Sequence, residues 1–267
     1  MSADVGSHRP AVGFPIAVEH ERLLRLSERS IAASTRARQK RRRSVARWRG
    51  AERLAMIGVL LIGAGAVVDE HYCYPLRRLE KAGALRVLGV ADPNESSAQR
   101  VAAQFKQART HADANLALVA GSYDLAIIAS PPGLHADHAC AALAQGCHVL
   151  SEKPMTTRIA DATRMNTAAA QAQRVLGVAF SRRYSANFAD VAKLVAEGEL
   201  GDDLQFSYHE GSTYRWAIAT GAAFDRERSG GGALMDRGVH MLDQLNWVFG
   251  DPVVVDRCYD DSLVGGV

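Results

Sequence analysis

A repeat of short apolar runs and helical patterns begins at Met56 and constrains the fold more than any other feature. The predicted strands are Ile57–Ile62, Leu85–Ala91, Leu125–Ala129, His148–Leu150 and Val175–Ala179. The predicted helices between them are Asp69–Ala82, Glu95–Lys106, Leu134–Gln145 and Ile159–Arg174. Strands separated by helices of this length indicate an α/β fold, a doubly wound parallel sheet with helices on both faces.

A glycine-rich turn follows the first predicted strand and opens the first predicted helix. Its residues are Gly63, Ala64, Gly65, Ala66 and Val67, and Val68 stands where the third glycine of a dinucleotide fingerprint is expected. The first glycine allows the tight turn, and the second lets the backbone approach a pyrophosphate at the helix N-terminus. The context therefore predicts a Rossmann-type dinucleotide site, although a bare G-x-G alone would be weak support.

Asp92 directly follows the second predicted strand, 29 residues after Gly63. A carboxylate at this place can accept hydrogen bonds from the adenosine ribose hydroxyls and would repel a 2′-phosphate, which favours NAD over NADP. The alternative is a simple turn in which Asp92 caps the helix that begins at Glu95.

Two further loops follow predicted strands, at the sheet edge where ligands bind in such folds. Ser130, Pro131 and Pro132, with His135 after them, are expected to form a cofactor wall, or else only a structural turn. In the second loop, Glu152-Lys153-Pro154, the lysine ammonium could polarise a substrate oxygen and stabilise developing alkoxide charge.

Asp236 and His240 lie four residues apart on a helix predicted from Ala233 to Val248, after three glycines. This spacing places both side chains on one helix face. A histidine, with a reference pKa of about 6.5, suits the removal of a hydroxyl proton as a hydride leaves. The alternative is an ordinary Asp–His pair on a helix surface.

Together these motifs resemble the glucose–fructose oxidoreductase/inositol dehydrogenase (Gfo/Idh/MocA) family. The most specific segments are Gly146–Pro154 and Gly230–His240, and Phe180–Tyr184 also matches. The resemblance implies that Lys153 contacts substrate and nicotinamide ribose, that His240 is the acid/base and that Asp236 is its close partner. Glu152 and Arg183 are also expected to bind NAD, and no metal site is expected.

The resemblance further implies a second domain from Phe180 to Val267, an α+β unit with a mainly antiparallel sheet that often carries the oligomer interface. Its predicted elements include a helix from Phe188 to Glu197 and strands over Leu204–Gly211 and Val253–Tyr259. Family members usually continue for roughly a hundred further residues, so this sheet is expected to be incomplete. The substrates of the family are mostly sugars, sugar acids, nucleotide sugars and cyclitols. Specificity is expected from residues such as Tyr184, Tyr214, Arg215 and Trp216.

Residues 1–55 differ in composition from the NAD-binding domain expected over 56–179. They hold 13 Arg or Lys and 5 Asp or Glu, a net charge of +8 in a chain whose total is +3. A disordered basic extension is expected. The alternatives are a contact with nucleic acid or another anionic partner, or a natural start at Met56.

The apolar run Leu54–Val68 is too short and too rich in glycine for a membrane span. Four cysteines without metal-site spacing favour reduced thiols and a cytoplasmic location.

The sequence thus predicts an NAD-dependent oxidoreductase that acts on a CH–OH group, a homo-oligomer with a polyol or sugar as substrate. Two alternatives stay open. One is a glycosidase of the same family that holds NAD tightly. The other is a non-catalytic NAD-binding or interaction protein.

Overall fold

The computed structural model describes residues 56–201, 204–210 and 229–250. Its described strands form one parallel sheet. They are β1 (Ile57–Ile62), β2 (Leu85–Ala91), β3 (Arg109–His111), β4 (Leu125–Ile128), β5 (His148–Ser151) and β6 (Leu176–Val178). The strand order is β3-β2-β1-β4-β5-β6. From β1 the chain adds β2 and β3 on one side, and it then adds β4, β5 and β6 on the other side. In doubly wound folds a ligand crevice forms where the strand order switches in this way, here between β1 and β4.

Helices connect the strands and continue after the sheet. They are α1 (Cys73–Lys81), α2 (Glu95–Ala102), α3 (Ala114–Ala120), α4 (His135–Ala144), α5 (Ile159–Ala172), α6 (Ala186–Glu197) and α7 (Val239–Phe249). A π-helical turn leads into α1 (Val68–Tyr72) and another leads into α7 (Leu234–Gly238). Short 3-10 turns lie at Pro132–Leu134 and Ser181–Tyr184.

The hydrophobic core has two halves, one on each face of the sheet. Leu60 and Ile62 of β1 pack with buried residues of α3, α4 and α5. Val59 and Leu61 point to the other face and pack with buried residues of α1 and α2. Because side chains alternate along a strand, a strand that is buried on both faces must be apolar throughout, as β1 is. The predicted Rossmann architecture with helices on both faces is confirmed.

One strand–helix pair between Lys106 and Leu125 was absent from the predictions. The strand β3 has only three residues, none fully buried, so it carries no hydrophobic pattern. The helix α3 does carry a start signal, because Asp113 accepts hydrogen bonds from the Asn115 and Leu116 amides. Asp113 and the apolar residues after it would have revealed this helix.

The predicted strand Leu204–Gly211 is not formed in residues 204–210, which make no ladder with any described segment. A strand needs a partner for its backbone N–H and C=O groups, and no described segment provides one. The rings of Phe206 and Tyr208 nevertheless stack, and the Tyr208 hydroxyl donates to Glu210, so alternate side chains share one side.

The described residues after Phe180 form helices and turns and no strand. The antiparallel sheet, the domain boundary at 179/180 and the predicted strand Val253–Tyr259 therefore stay predictions, and that strand lies outside the described residues. Residues 1–55, Tyr214, Arg215 and Trp216 also lie outside them. Within the described part of the chain, no helix combines the length and the apolar character that a membrane crossing requires.

Candidate functional site

Four loops meet at the carboxyl edge of the sheet, where β1, β2, β4 and β5 end. Backbone hydrogen bonds hold the starts of these loops side by side. The Gly63 amide donates to Ala91 O at 2.8 Å, and the Glu152 amide donates to Ile128 O at 2.8 Å. The glycine turn, Asp92, the Ser130–Pro132 loop and Glu152-Lys153-Pro154 therefore share one edge, as the sequence predicted.

The glycine turn has the form that a dinucleotide needs. Gly63 has φ of 98°, and a Cβ on it would lie 2.5 Å from Ala129 O, so only glycine fits this contact between β1 and β4. A Cβ on Gly65 would meet no atom within 4 Å, so this side of the turn faces open space. The first N–H groups of the following helix, at Ala66 and Val67, have no intrahelical acceptor and can bind an anion. These residues fit a pyrophosphate.

Asp92 fastens the glycine turn to the end of β2. Its Oδ2 accepts from the Ala64 amide at 2.7 Å, and its Oδ1 accepts from the Asn94 amide at 2.8 Å. Each carboxylate oxygen keeps a second acceptor position for a ribose hydroxyl. The cap of α2 is Asn94, which accepts from the Ser97 amide at 3.0 Å. The alternative that gave this capping role to Asp92 is therefore wrong.

The Ser130–Pro132 loop is joined to α4 by two histidines. The Ser130 hydroxyl lies 2.9 Å from His138 Nδ1. His135 is buried, and its two ring nitrogens face Ser130 O at 2.8 Å and Pro154 O at 2.9 Å. Burial lowers the pKa of both histidines. The ring of His135 thus links two loops of the sheet edge and is 1% exposed, so any effect on a cofactor would pass through those loops.

Lys153 reaches from the sheet edge to the segment before α7. Its ammonium donates to the Asp236 carboxylate at 2.6 Å and to the Asp236 carbonyl at 2.7 Å. These two residues are 83 positions apart and come from the two most specific motifs of the sequence. The structure therefore brings the two motifs together.

Asp236 lies in the π-helical turn, and His240 lies in the first turn of α7. The Asp236 carboxylate contacts Lys153, whereas His240 Nδ1 is buried and has no hydrogen-bond partner among the described residues. Phe180 packs edge-on against the His240 ring, with 6.1 Å between ring centroids. Burial, together with the positive charges of Lys153 and Arg182, lowers the pKa of His240 to about 4. The imidazole is therefore neutral at neutral pH.

Arg183 pairs with a buried carboxylate on α7. Its guanidinium donates through Nε to Asp243 Oδ2 at 2.6 Å and through Nη2 to Asp243 Oδ1. The hydrogen bonds that Arg183 donates to Asp243 raise the pKa of Arg183 above its already high usual value. The predicted cofactor ligand thus fastens the Ser181–Tyr184 turn to α7.

The sequence reasoning assigned no role to four residues that form one polar cluster, two of which, Arg182 and Glu210, act electrostatically on His240. Arg182 donates to Glu210 Oε2 at 2.9 Å and also contacts Tyr208, and Arg237 Nη1 lies 3.6 Å from Glu210. The bonds from Arg182 lower the pKa of Glu210 to about 2. Tyr208 and Glu210 lie 26 and 28 residues after Arg182, so no short-range sequence spacing predicts this cluster.

Comparison with known proteins agrees with this geometry. Residues 57–180 match the NAD-binding Rossmann-fold model of the Gfo/Idh/MocA oxidoreductases, and residues 188–259 match the C-terminal domain model of the same family. This chain belongs to the Gfo/Idh/MocA family. The matched Rossmann-fold model is an NAD-binding one, which agrees with the glycine turn and Asp92.

Several relatives carry names that describe sugar or cyclitol chemistry. D-glucoside 3-dehydrogenase of Escherichia coli is 32% identical over 200 residues, which are 73% of this chain and 55% of that protein. Inositol 2-dehydrogenase of Streptomyces avermitilis is 35% identical over 151 residues, 56% of this chain and 43% of that protein. This chain spans about half the length of these curated relatives.

A solved structure is similar in both sequence and fold. The WlbA dehydrogenase from Bordetella pertussis, in complex with NADH and UDP-GlcNAcA, is 26% identical with a TM-score of 0.62. The match covers 75% of this chain and 57% of that one.

Proposed function

We propose that this Gfo/Idh/MocA protein is an NAD-dependent oxidoreductase that moves a hydride between the nicotinamide and a CH–OH carbon of a sugar, sugar acid, nucleotide sugar or cyclitol. The observation that carries this proposal is the contact of Lys153 with Asp236, 2.6 Å, beside the neutral imidazole of His240. A base and a fixed cation near one point are what alcohol oxidation requires.

NAD would be held by the carboxyl edge of the sheet. The open side of Gly65 and the amides of Ala66 and Val67 would receive the pyrophosphate, and Asp92 would accept bonds from the adenosine ribose. Asp92 carries a negative charge where the 2′-phosphate of NADP would lie, which supports NAD as the cofactor. Bound NAD supplies the hydride acceptor, and the protein supplies position and charge.

His240 would remove the hydroxyl proton during oxidation and return it during reduction. Its lowered pKa, about 4, leaves the imidazole unprotonated at neutral pH, so a ring nitrogen has a free lone pair for the proton. The Lys153 ammonium would stabilise the negative charge that develops on the substrate oxygen. Asp236 would orient that ammonium through its carboxylate and its carbonyl oxygen.

The substrate class is supported by the relatives, whose names specify a glucoside and an inositol, and by the nucleotide sugar acid bound to the WlbA dehydrogenase. Homo-oligomeric assembly and a cytoplasmic location stay predictions from the sequence.

The test is a screen for dehydrogenase activity on sugars, uronic acids, nucleotide sugars and inositols, with NAD and with NADP. The rate is measured from the absorbance of the reduced cofactor. Lys153→Met and His240→Asn should each lower kcat/KM by roughly 100-fold or more. Lys193→Met serves as the matched control for the lysine, because its side chain is exposed and lies beside Glu197 on α6. Full turnover in both test variants would refute the assigned roles.

A further inference from the structure

A hydrogen bond from the first helical segment reaches the Glu152-Lys153-Pro154 loop. The Tyr72 hydroxyl donates to Glu152 Oε1 at 2.7 Å, across 80 residues of sequence. The second oxygen of the same carboxylate, Oε2, accepts from the backbone amide of Lys153 at 3.0 Å. The carboxylate of Glu152 is thus a bridge between a tyrosine of one element and the backbone of the proposed catalytic lysine.

The π-helical turn places Tyr72 where it can make this bond. Tyr72 is the last residue of that turn, and the turn lies just before Pro75. A proline inside a helix disfavours the usual i to i−4 pattern, and one extra residue in the turn rotates the side chains around it. The Cys73 amide accordingly donates to Val68 O, five residues back. Tyr72 thereby points towards the end of β5.

The hydroxyl stays protonated in any ordinary buffer. Burial, followed by the negative charge of Glu152 and the hydrogen bond to it, raises the pKa of Tyr72 far above its usual value. Tyr72 is therefore a permanent donor here and holds one oxygen of Glu152, while the other oxygen holds the Lys153 amide.

From this geometry we propose that Tyr72 is a positioning residue for Lys153, acting through the carboxylate of Glu152. The inference rests on the role proposed above for Lys153. When the carboxylate is held by Tyr72, the Lys153 amide is fixed, and the ammonium at the other end of the residue meets Asp236. Without the hydroxyl, the carboxylate can turn towards solvent and release the amide, which misplaces the ammonium. Small misplacements of a catalytic group can lower a rate strongly.

The test compares Tyr72→Phe with Tyr74→Phe. Both changes remove one phenolic hydroxyl from the same helical segment, but Tyr74 is 61% exposed and lies outside the bridge. Amide-resolved hydrogen exchange at Lys153 is the first measurement, with the amides of Leu60 and Leu61 in β1 as a reference for global opening. We expect roughly tenfold faster exchange at Lys153 in Tyr72→Phe only, with the β1 amides unchanged, because a hydrogen bond to a charged group is lost.

Unchanged exchange at Lys153 would overturn the proposal, since phenylalanine keeps the packing of the ring. Equal acceleration at Lys153 and in β1 would also overturn it, because it would show a general structural role. If the dehydrogenase activity is found, Tyr72→Phe should lower kcat about tenfold, and Tyr74→Phe should leave it unchanged. The exchange experiment needs no turnover, so failure of the proposed function and failure of this inference are distinguishable.

Discussion

The region before Phe180 buries mostly apolar side chains, whereas the buried side chains described after it are polar. Among the described residues, every buried apolar side chain lies between Val59 and Ala169. The buried residues after Phe180 are His240, Asp243 and Gln244, all polar and all on α7. Apolar side chains thus form the core of the first region. The described part of the second region buries side chains that can form hydrogen bonds or bind a proton.

This difference separates stability from chemistry. Burial of apolar area is the main favourable term in folding, and it is concentrated around β1. Burial of polar groups costs free energy unless they are paired, so their presence on one face of α7 indicates a use for them. The proposed acid/base, His240, is one of them.

The largest expected effect is the loss of a core side chain. Leu60 has no exposed surface and lies in the central strand. Leu60→Ala should lower the free energy of unfolding by about 3–4 kcal/mol, because it removes apolar contacts and leaves a cavity. Leu116→Ala, at a side chain that is 64% exposed, is the matched control and should cost under about 1 kcal/mol. Urea denaturation measures both, and similar costs would contradict the contrast between core and surface.

The next effect concerns pH and should come from the second region. The folded protein holds His240 neutral down to a pKa of about 4, whereas the unfolded chain binds a proton near 6.5. Between pH 6.5 and pH 4 the unfolded state binds more protons than the folded state does. The free energy of unfolding is therefore unaffected by His240 above pH 6.5 and decreases as the pH falls towards 4. The loss should approach about 3 kcal/mol. The free energy of unfolding of wild type minus that of His240→Asn, measured from pH 7 to 4, should fall by this amount. A flat difference would show that the imidazole is not shielded.

A smaller effect is expected from the buried ion pair. Asp243→Asn weakens both bonds from Arg183, and the carboxylate is only 8% exposed. The loss should be about 2 kcal/mol, because a bidentate, charge-assisted contact is broken in a partly buried place. The same change at Asp137, 67% exposed and paired with Arg164, should cost less than about 0.5 kcal/mol. Thermal denaturation measures the loss in the free energy of unfolding for both variants. Equal losses would show that burial does not make the Arg183–Asp243 pair more stabilising than the Arg164–Asp137 pair.

The smallest effect should have the opposite sign. Gln244 is buried, and neither polar atom of its amide has a hydrogen-bond partner among the described residues. Gln244→Met keeps the length and removes the unpaired polar atoms, so stability should stay level or rise by up to about 1 kcal/mol. Gln99→Met on the exposed face of α2 should be neutral. A loss above 1 kcal/mol for Gln244→Met would reveal a hydrogen bond to this amide.

The sequence predicted the first region well because its signals are local. The apolar run Ile57–Ile62 and the glycine turn at Gly63 can each be recognised from a few neighbouring residues. The second region was predicted less well. Leu204–Gly211 has the composition of a strand, but a strand depends on a partner elsewhere in the chain, and residues 204–210 have none among the described segments. The spacing of Asp236 and His240 also did not reveal that the Asp236 carboxylate pairs with Lys153, which lies 83 positions away in the sequence.

The sequence by itself determined that β1 is buried on both faces, that a dinucleotide-type turn follows it, and that the two motifs around Lys153 and His240 belong to one family. Only the tertiary structure decided which side chains meet. Lys153 donates a hydrogen bond to Asp236, Arg183 donates to Asp243, and Tyr72 donates to Glu152. The physical reason is that secondary structure follows from neighbours along the chain, whereas hydrogen bonds between residues 60 to 83 positions apart depend on how the elements pack.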